Sequence, residues 1–275
     1  MLINLAQLIQ QPIVDPKWVV EGILPRGSLA IMAGEAGSGK SILSYHLALC
    51  VACNLPFLGA YKVEQTRILY IDEENGTPDF TRYWQWVWRG LGQPSPEMMQ
   101  SIMFCSFHLG LAWEAQLRNL AKTFRPGLII IDTATPALNI IDENDNAEAS
   151  KKIKALRATQ ADAANETAIL ILKHAKTYDE IGHRRSVRGA KAWLGAVDIV
   201  MYHSFGVGRP KKQGLRPTFL EADKPRAFGL DHIVKILPHW TSSEEPRGLV
   251  LSSTRHSASP PTHPTPPQTP PLRGE

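Results

Sequence analysis

Eight consecutive residues, Gly34-Glu35-Ala36-Gly37-Ser38-Gly39-Lys40-Ser41, carry the most specific chemistry in the chain. They match G-x-x-x-x-G-K-[ST] at every fixed position. Glycines at 34, 37 and 39 remove Cβ obstruction, so successive backbone N–H groups can converge on phosphate oxygens. The apolar run Leu29–Ala33 precedes the glycines, and a helical pattern opens at Ile42. A helix starting near Lys40 would aim the positive end of its dipole at the same phosphates. Lys40 suits the β- and γ-phosphates of a nucleoside triphosphate, and the Ser41 hydroxyl suits Mg²⁺. The expected nucleotide contacts therefore run from Gly34 through Ile42, with ATP and Mg²⁺ as cofactors. With no phosphate present, Lys40 is expected to face solvent and to take no part in the core.

Such a site needs carboxylates at neighbouring strand ends. Asp132 follows Leu128-Ile129-Ile130-Ile131, at the C-terminal end of a strand-like run, where ligands sit in open α/β sheets. It is the candidate Mg²⁺ ligand beside Ser41. Hydrolysis also needs a group to orient or deprotonate water. The run Ile71-Asp72-Glu73-Glu74-Asn75 places three acids at a second strand end.

These residues require a sheet to hold them. Short apolar runs at 28–34, 67–73, 127–132, 168–174 and 196–202 are continuous and rich in β-favouring residues, as strands buried on both faces are. Helical patterns separate them. Phe80, Tyr83, Trp84, Val87, Trp88 and Leu91 form one apolar stripe, leaving Trp86 off it and free to serve an interface. A second helix over 147–164 places Ala149, Ile153, Leu156 and Ala163 on one side, with Gln160 interrupting. The segments 217–223, 231–237 and 247–253 read as antiparallel strands. The expected fold is α/β, with a mostly parallel central sheet flanked by helices and a C-terminal antiparallel meander.

The chain has 275 residues, 43% hydrophobic and 20% charged, which suits one α/β domain with tails rather than global disorder. The expected division is an arm at 1–16, an ATPase domain at 17–254 and a disordered tail at 255–275, where seven prolines cluster. A net charge of +4 is too mild to imply nucleic acid by itself. Three cysteines make a disulfide framework improbable, and Cys50-x-x-Cys53 lacks a second pair for zinc. No run is long enough to span a membrane and no secretion signal opens the chain, so a cytoplasmic protein without membrane contact is expected.

Taken in order, LPRGSLAIMAGEAGSGKS (24–41), YIDEEN (70–75), LIIIDT (128–133), LKHAKT (172–177) and RGAKAW (188–193) resemble the RecA/DnaB-type P-loop ATPases. The nearest subset is the RepA-like hexameric replicative helicases of plasmids and phages, and the resemblance covers residues 17 to 252. It implies that Glu74 is the catalytic glutamate, with Glu73 one residue away as the alternative. It implies that His174 lies next to the γ-phosphate, and that the basic loop from Lys176 to Lys191 meets single-stranded DNA through Lys176, Arg184, Arg185 and Arg188. The Lys224-Pro225-Arg226 spacing resembles the pair inserted into a neighbour's active site, although Val197–Tyr202 carries no arginine where a RepA-type finger is expected. The second basic turn, 209–216, reads as plain surface. A homo-oligomeric ring, single-stranded DNA and replication proteins are the implied partners. The alternative is a nucleotide-dependent switch or scaffold without helicase activity.

Overall fold

The computed structural model describes residues 4–12, 15–75, 77–105, 112–163, 166–175, 191–205, 215–225 and 233–256. The chain enters through a short helix α1 (Leu5–Leu8), capped by the Asn4 side chain, and a small hairpin of β1 (Trp18–Val20) and β2 (Leu24–Pro25). The central strand β3 (Leu29–Gly34) then leads into helix α2 (Lys40–Cys53). Strand β4 (Ile68–Asp72) is followed by α3 (Thr77–Gly90), α4 (Pro96–Met99), β5 (Ile102–Cys105) and α5 (Trp113–Phe124). Next come β6 (Leu128–Asp132), α6 (Ala134–Ala137), α7 (Asn146–Asp162) and β7 (Ala168–His174). Helix α8 (Lys191–Ala196) precedes β8 (Ile199–Ser204), and the meander is β9 (Thr218–Pro225), β10 (Ile233–Trp240) and β11 (Leu249–His256).

The nine-stranded sheet has the order β11-β10-β9-β8-β3-β7-β6-β4-β5. Strands β8 through β5 are parallel, and β9, β10 and β11 close the other side antiparallel. The continuous apolar runs are buried on both faces, as their lack of alternation requires. Ala30 and Met32 pack with Leu43 and Leu47 of α2 on one face. Leu29 and Ile31 pack with Leu117 of α5 and Leu156 of α7 on the other. All the parallel strands point their C-terminal ends toward one edge, where Gly34, Asp72, Asp132, His174 and His203 come together by register.

Several expectations change in detail. The last parallel strand starts at Ile199, not at Ala196, which ends α8. Asp198 marks the boundary: its carboxylate accepts the Leu29 N–H and the Arg157 guanidinium, both at 2.8 Å. Gln160 does not weaken its helix's inner face. Its amide is buried and donates to the carbonyls of Gly27, Ser28 and Thr167, so a polar side chain tethers α7 to two strand starts. Trp86 is not left free, since its ring meets Trp240 edge-on at 5.1 Å and Arg247 lies over both indoles. Strand β5 and helix α5 were not foreseen, because β5 is a sheet edge with Met103 and Phe104 exposed and shows no buried run. The three cysteines are free and buried, with burial pushing the Cys50 thiol up to about 12. Among the described residues no cluster of His, Cys, Asp and Glu could hold a metal by itself. The proline-rich tail lies, from residue 257, outside the described residues.

Candidate functional site

The loop between β3 and α2 is shaped by backbone demands that its glycines meet. Gly37 and Gly39 have φ of 74° and 89°, in the region that side chains disfavour. At Gly34 the constraint is space: a Cβ would sit 2.4 Å from the His203 carbonyl oxygen and 2.8 Å from Ser38 Oγ. Ser38 N–H donates back to Glu35, and Leu43 N–H to Gly39, which closes the loop onto the first turn of α2. The Ser38 hydroxyl is buried without a hydrogen-bond partner among the described residues, while Ala36 and Gly37 are exposed and Ser41 and Ile42 are half-buried.

Lys40 overturns the expectation that it faces solvent. It is only 6% exposed, and its Nζ donates to the carbonyls of Gly34 (3.1 Å) and Glu35 (3.0 Å). The ammonium folds into the arch of its own loop because those carbonyls replace water at low cost in chain strain. Burial lowers its pKa, and the charges of Glu74, Asp132 and Glu35 oppose that shift.

Asp132 ends β6 in register with Asp72 at the end of β4. Its carboxyl is wholly buried, and Oδ2 accepts from the Tyr70 hydroxyl at 3.1 Å. Oδ1 has no hydrogen-bond partner among the described residues. Burial, with the nearby Asp72 charge, pushes the Asp132 pKa up to about 7. The Ser41 hydroxyl pulls it back without making a full hydrogen bond at Oδ1. Asp72 differs: its carboxylate accepts from Tyr45 Oη (2.7 Å), the N–H of Glu74 (3.0 Å) and Asn75 (2.9 Å), and the Asn75 amide. That saturated carboxylate organises the turn carrying the other two acids. The exposed Glu74 acts electrostatically on Lys40 and Asp132, whereas Glu73 acts on Cys105, toward β5.

His174 pairs in register with Gly34 from β7, and Ala175 N–H donates to the Gly34 carbonyl. On the other flank of Gly34 stands His203 of β8, which sequence reasoning missed. It is 2% exposed, its Nε2 lies 2.8 Å from Thr218 Oγ1, and Nδ1 is buried without a partner among the described residues. Burial, with the Lys40 charge adding to it, lowers its pKa to about 3. The available signal was repetition: both flanking apolar runs carry a histidine at their C-terminal end. His203, Thr218, Ile42, Ile236 and Leu249 line a recess beside the phosphate loop. Arg216, read from sequence as plain surface, lines it too.

Of the remaining expected residues, Lys224 is described and is not brought to this cluster. Lys224 pairs with Val200, three positions along β8 from His203, which is roughly 10 Å toward the opposite edge of the sheet. Lys176, Arg184, Arg185, Arg188 and Arg226 lie outside the described residues.

The assembled residues fit a magnesium nucleotide. The loop has glycines where close approach demands them, a lysine held by its own loop's carbonyls, and a buried carboxylate with one oxygen unpartnered among the described residues. Comparison with known proteins agrees. The AAA domain family matches residues 3–179. The crystal structure of the RadB recombinase superposes with a TM-score of 0.52 and 15% identity, covering 77% of this chain and 87% of that one. At that identity the likeness is one of fold, and the fold is RecA-like. No curated protein matches the chain by sequence.

Proposed function

The chain belongs to the AAA domain family and has a RecA-like ATPase fold, and from that premise we propose that it is a ring-forming, Mg²⁺-dependent DNA helicase or translocase. Its setting would be cytoplasmic replication of a plasmid, phage or mobile element. No helix among the described residues is long and apolar enough to cross a membrane. The observation that carries the ATPase part of the reading is the loop itself, with Gly37 and Gly39 at positive φ, Lys40 Nζ on the Gly34 and Glu35 carbonyls, and the buried Asp132 in register with Asp72.

Mg·ATP, when bound, supplies the phosphoryl group and the divalent charge that neutralises it. In this reading Lys40 exchanges the Gly34 and Glu35 carbonyls for β- and γ-phosphate oxygens. Ser41 and Asp132 would hold the metal, and Asp132 Oδ1 has no hydrogen-bond partner among the described residues. Glu74 takes the proton of the attacking water. His174, beside Gly34 at the root of the 176–190 segment, links the nucleotide to that basic stretch. Lys176, Arg184, Arg185 and Arg188 then contact single-stranded DNA. Lys224 and Arg226 serve a neighbouring subunit, a role supported by the distance of Lys224 from its own loop.

The second reading is a nucleotide-dependent switch or recombination ATPase that does not unwind DNA, and the fold likeness to a recombinase favours it. Two measurements separate the readings. A helicase should hydrolyse ATP faster with single-stranded DNA at low salt, and its native mass should rise to that of a ring with Mg·ATP. An unchanged rate and mass would remove the helicase reading in favour of the switch.

A further inference from the structure

Two carboxylates in register at the ends of adjacent strands, one of them fully buried, need something to hold them in place. The structure supplies one tyrosine to each. Tyr45 donates to Asp72 Oδ2 at 2.7 Å, and Tyr70 meets Asp132 Oδ2 at 3.1 Å. Both rings are fully buried and packed against Trp84.

The Tyr70 hydroxyl bridges two groups. It also lies 2.6 Å from Ser44 Oγ. A hydroxyl has a single proton, and an ionised carboxylate can only accept. Tyr70 donates to Asp132 Oδ2 when that carboxylate is ionised, and the one Ser44 proton lies between the Ser41 carbonyl and the Tyr70 oxygen. Ser44 lies one helical turn beyond Ser41 on α2, with its Oγ 2.8 Å from the Ser41 carbonyl. The run of contacts from the Ser41 carbonyl through Ser44 and Tyr70 to Asp132 thus ties the strand carrying Asp132 to the helix turn carrying Ser41. It occupies Oδ2 and leaves Oδ1 unpartnered.

We propose that Tyr70 is a positioning residue that, anchored by Ser44, yokes Asp132 to Ser41 and reserves one carboxylate oxygen for Mg²⁺, while Tyr45 acts separately on the turn that carries Glu74. The inference rests on the assignment of Asp132 to the metal. Residues that orient a metal ligand through a hydrogen bond commonly contribute roughly 10- to 100-fold to metal affinity. Tyr45 hydrogen-bonds Asp72 and Asn75 and packs its ring on Tyr70, but among the described residues no hydrogen bond joins it to Ser41 or Asp132, so loss of its hydroxyl should act on the rate more than on the metal.

The test is a Mg²⁺ titration of the full chain, read by binding of a fluorescent non-hydrolysable ATP analogue and, in parallel, by ATPase rate. Tyr70→Phe should raise the Mg²⁺ half-saturation about 10-fold and leave analogue affinity without Mg²⁺ unchanged. Ser44→Ala should raise it in the same direction by less, because the ring and its remaining bond stay. This variant also keeps the question open to test if Tyr70→Phe fails to fold. Tyr45→Phe should lower kcat at the wild-type Mg²⁺ half-saturation. Asp132→Asn, run alongside, separates two failures. If it shifts the titration while Tyr70→Phe and Ser44→Ala do not, the yoke is wrong and the metal assignment stands. If Asp132→Asn leaves the titration unmoved, the metal assignment falls and the yoke with it. Equal shifts in Tyr45→Phe and Tyr70→Phe would reduce both tyrosines to packing.

Discussion

The parallel half of the sheet and its antiparallel margin bury their residues by different rules. Strands β3, β4 and β6 are buried at every position, so apart from Tyr70 their interiors are apolar, and their charged groups fall at the C-terminal ends. Strand β10 alternates, with Val234 and Ile236 inward and Lys235 only half-buried between them. The parallel half therefore holds the charged chemistry: Lys40, Asp132 and the turn of Glu74. The margin contributes shape, through Ile236, Leu249 and Thr218 beside the loop. Chemistry concentrates where strand ends share one edge, and the margin tunes what fits next to it.

That contrast can be broken by mutation. Glu74→Gln should lower the ATPase rate by about 10²–10⁴-fold while ATP binding persists, because an amide cannot take the proton of water. Glu73→Gln should stay near wild type, since Glu73 acts toward Cys105 rather than Lys40. The reverse phenotype, in single-turnover assays, would exchange the two acids.

Lys40→Ala should cost roughly 10²–10³-fold in rate by removing one preorganised charge from the developing phosphoryl oxygens. Lys40 is buried on its own loop's carbonyls, so a melting curve should also shift, unlike that of an exposed lysine. Normal turnover would remove the phosphate-loop assignment.

On the margin, Ile236→Ala should destabilise by about 2–4 kcal/mol through the cavity it leaves. It should weaken ATP-analogue binding while sparing the rate at saturation. A drop in saturated rate equal to that of Glu74→Gln would erase the division between the two regions.

The smallest effect is expected where the regions meet. Burial holds the His203 pKa at about 3, against about 6.5 in an unfolded chain. The unfolded state therefore takes up a proton first, so this contribution to stability is complete above pH 6.5 and is lost as pH falls toward 3. Between pH 7.5 and 5.5 the wild type should lose about 1 kcal/mol more than His203→Gln in urea titrations. Parallel pH profiles would mean that the ring is hydrated.

What the sequence alone determined is local. The phosphate loop is contained in eight residues whose glycines are demanded by backbone angles and close approach, so its chemistry can be read without knowing the fold. Continuous apolar runs show strands buried on both sides, and Asp132 ends one of them. What tertiary structure decided is every relation set by strand order. His203 flanks Gly34 only because β8 lies beside β3, across more than 160 residues of chain. Glu74 and Glu73 are adjacent in sequence, and the turn organised by Asp72 sends their charges to different neighbours. Lys40 turns inward, and Tyr70 joins Ser44 to Asp132, through distances no periodicity encodes. Local composition constrains backbone angles and which faces are apolar, whereas the direction of a polar side chain at a strand end depends on which neighbours the whole packed sheet brings within hydrogen-bond reach.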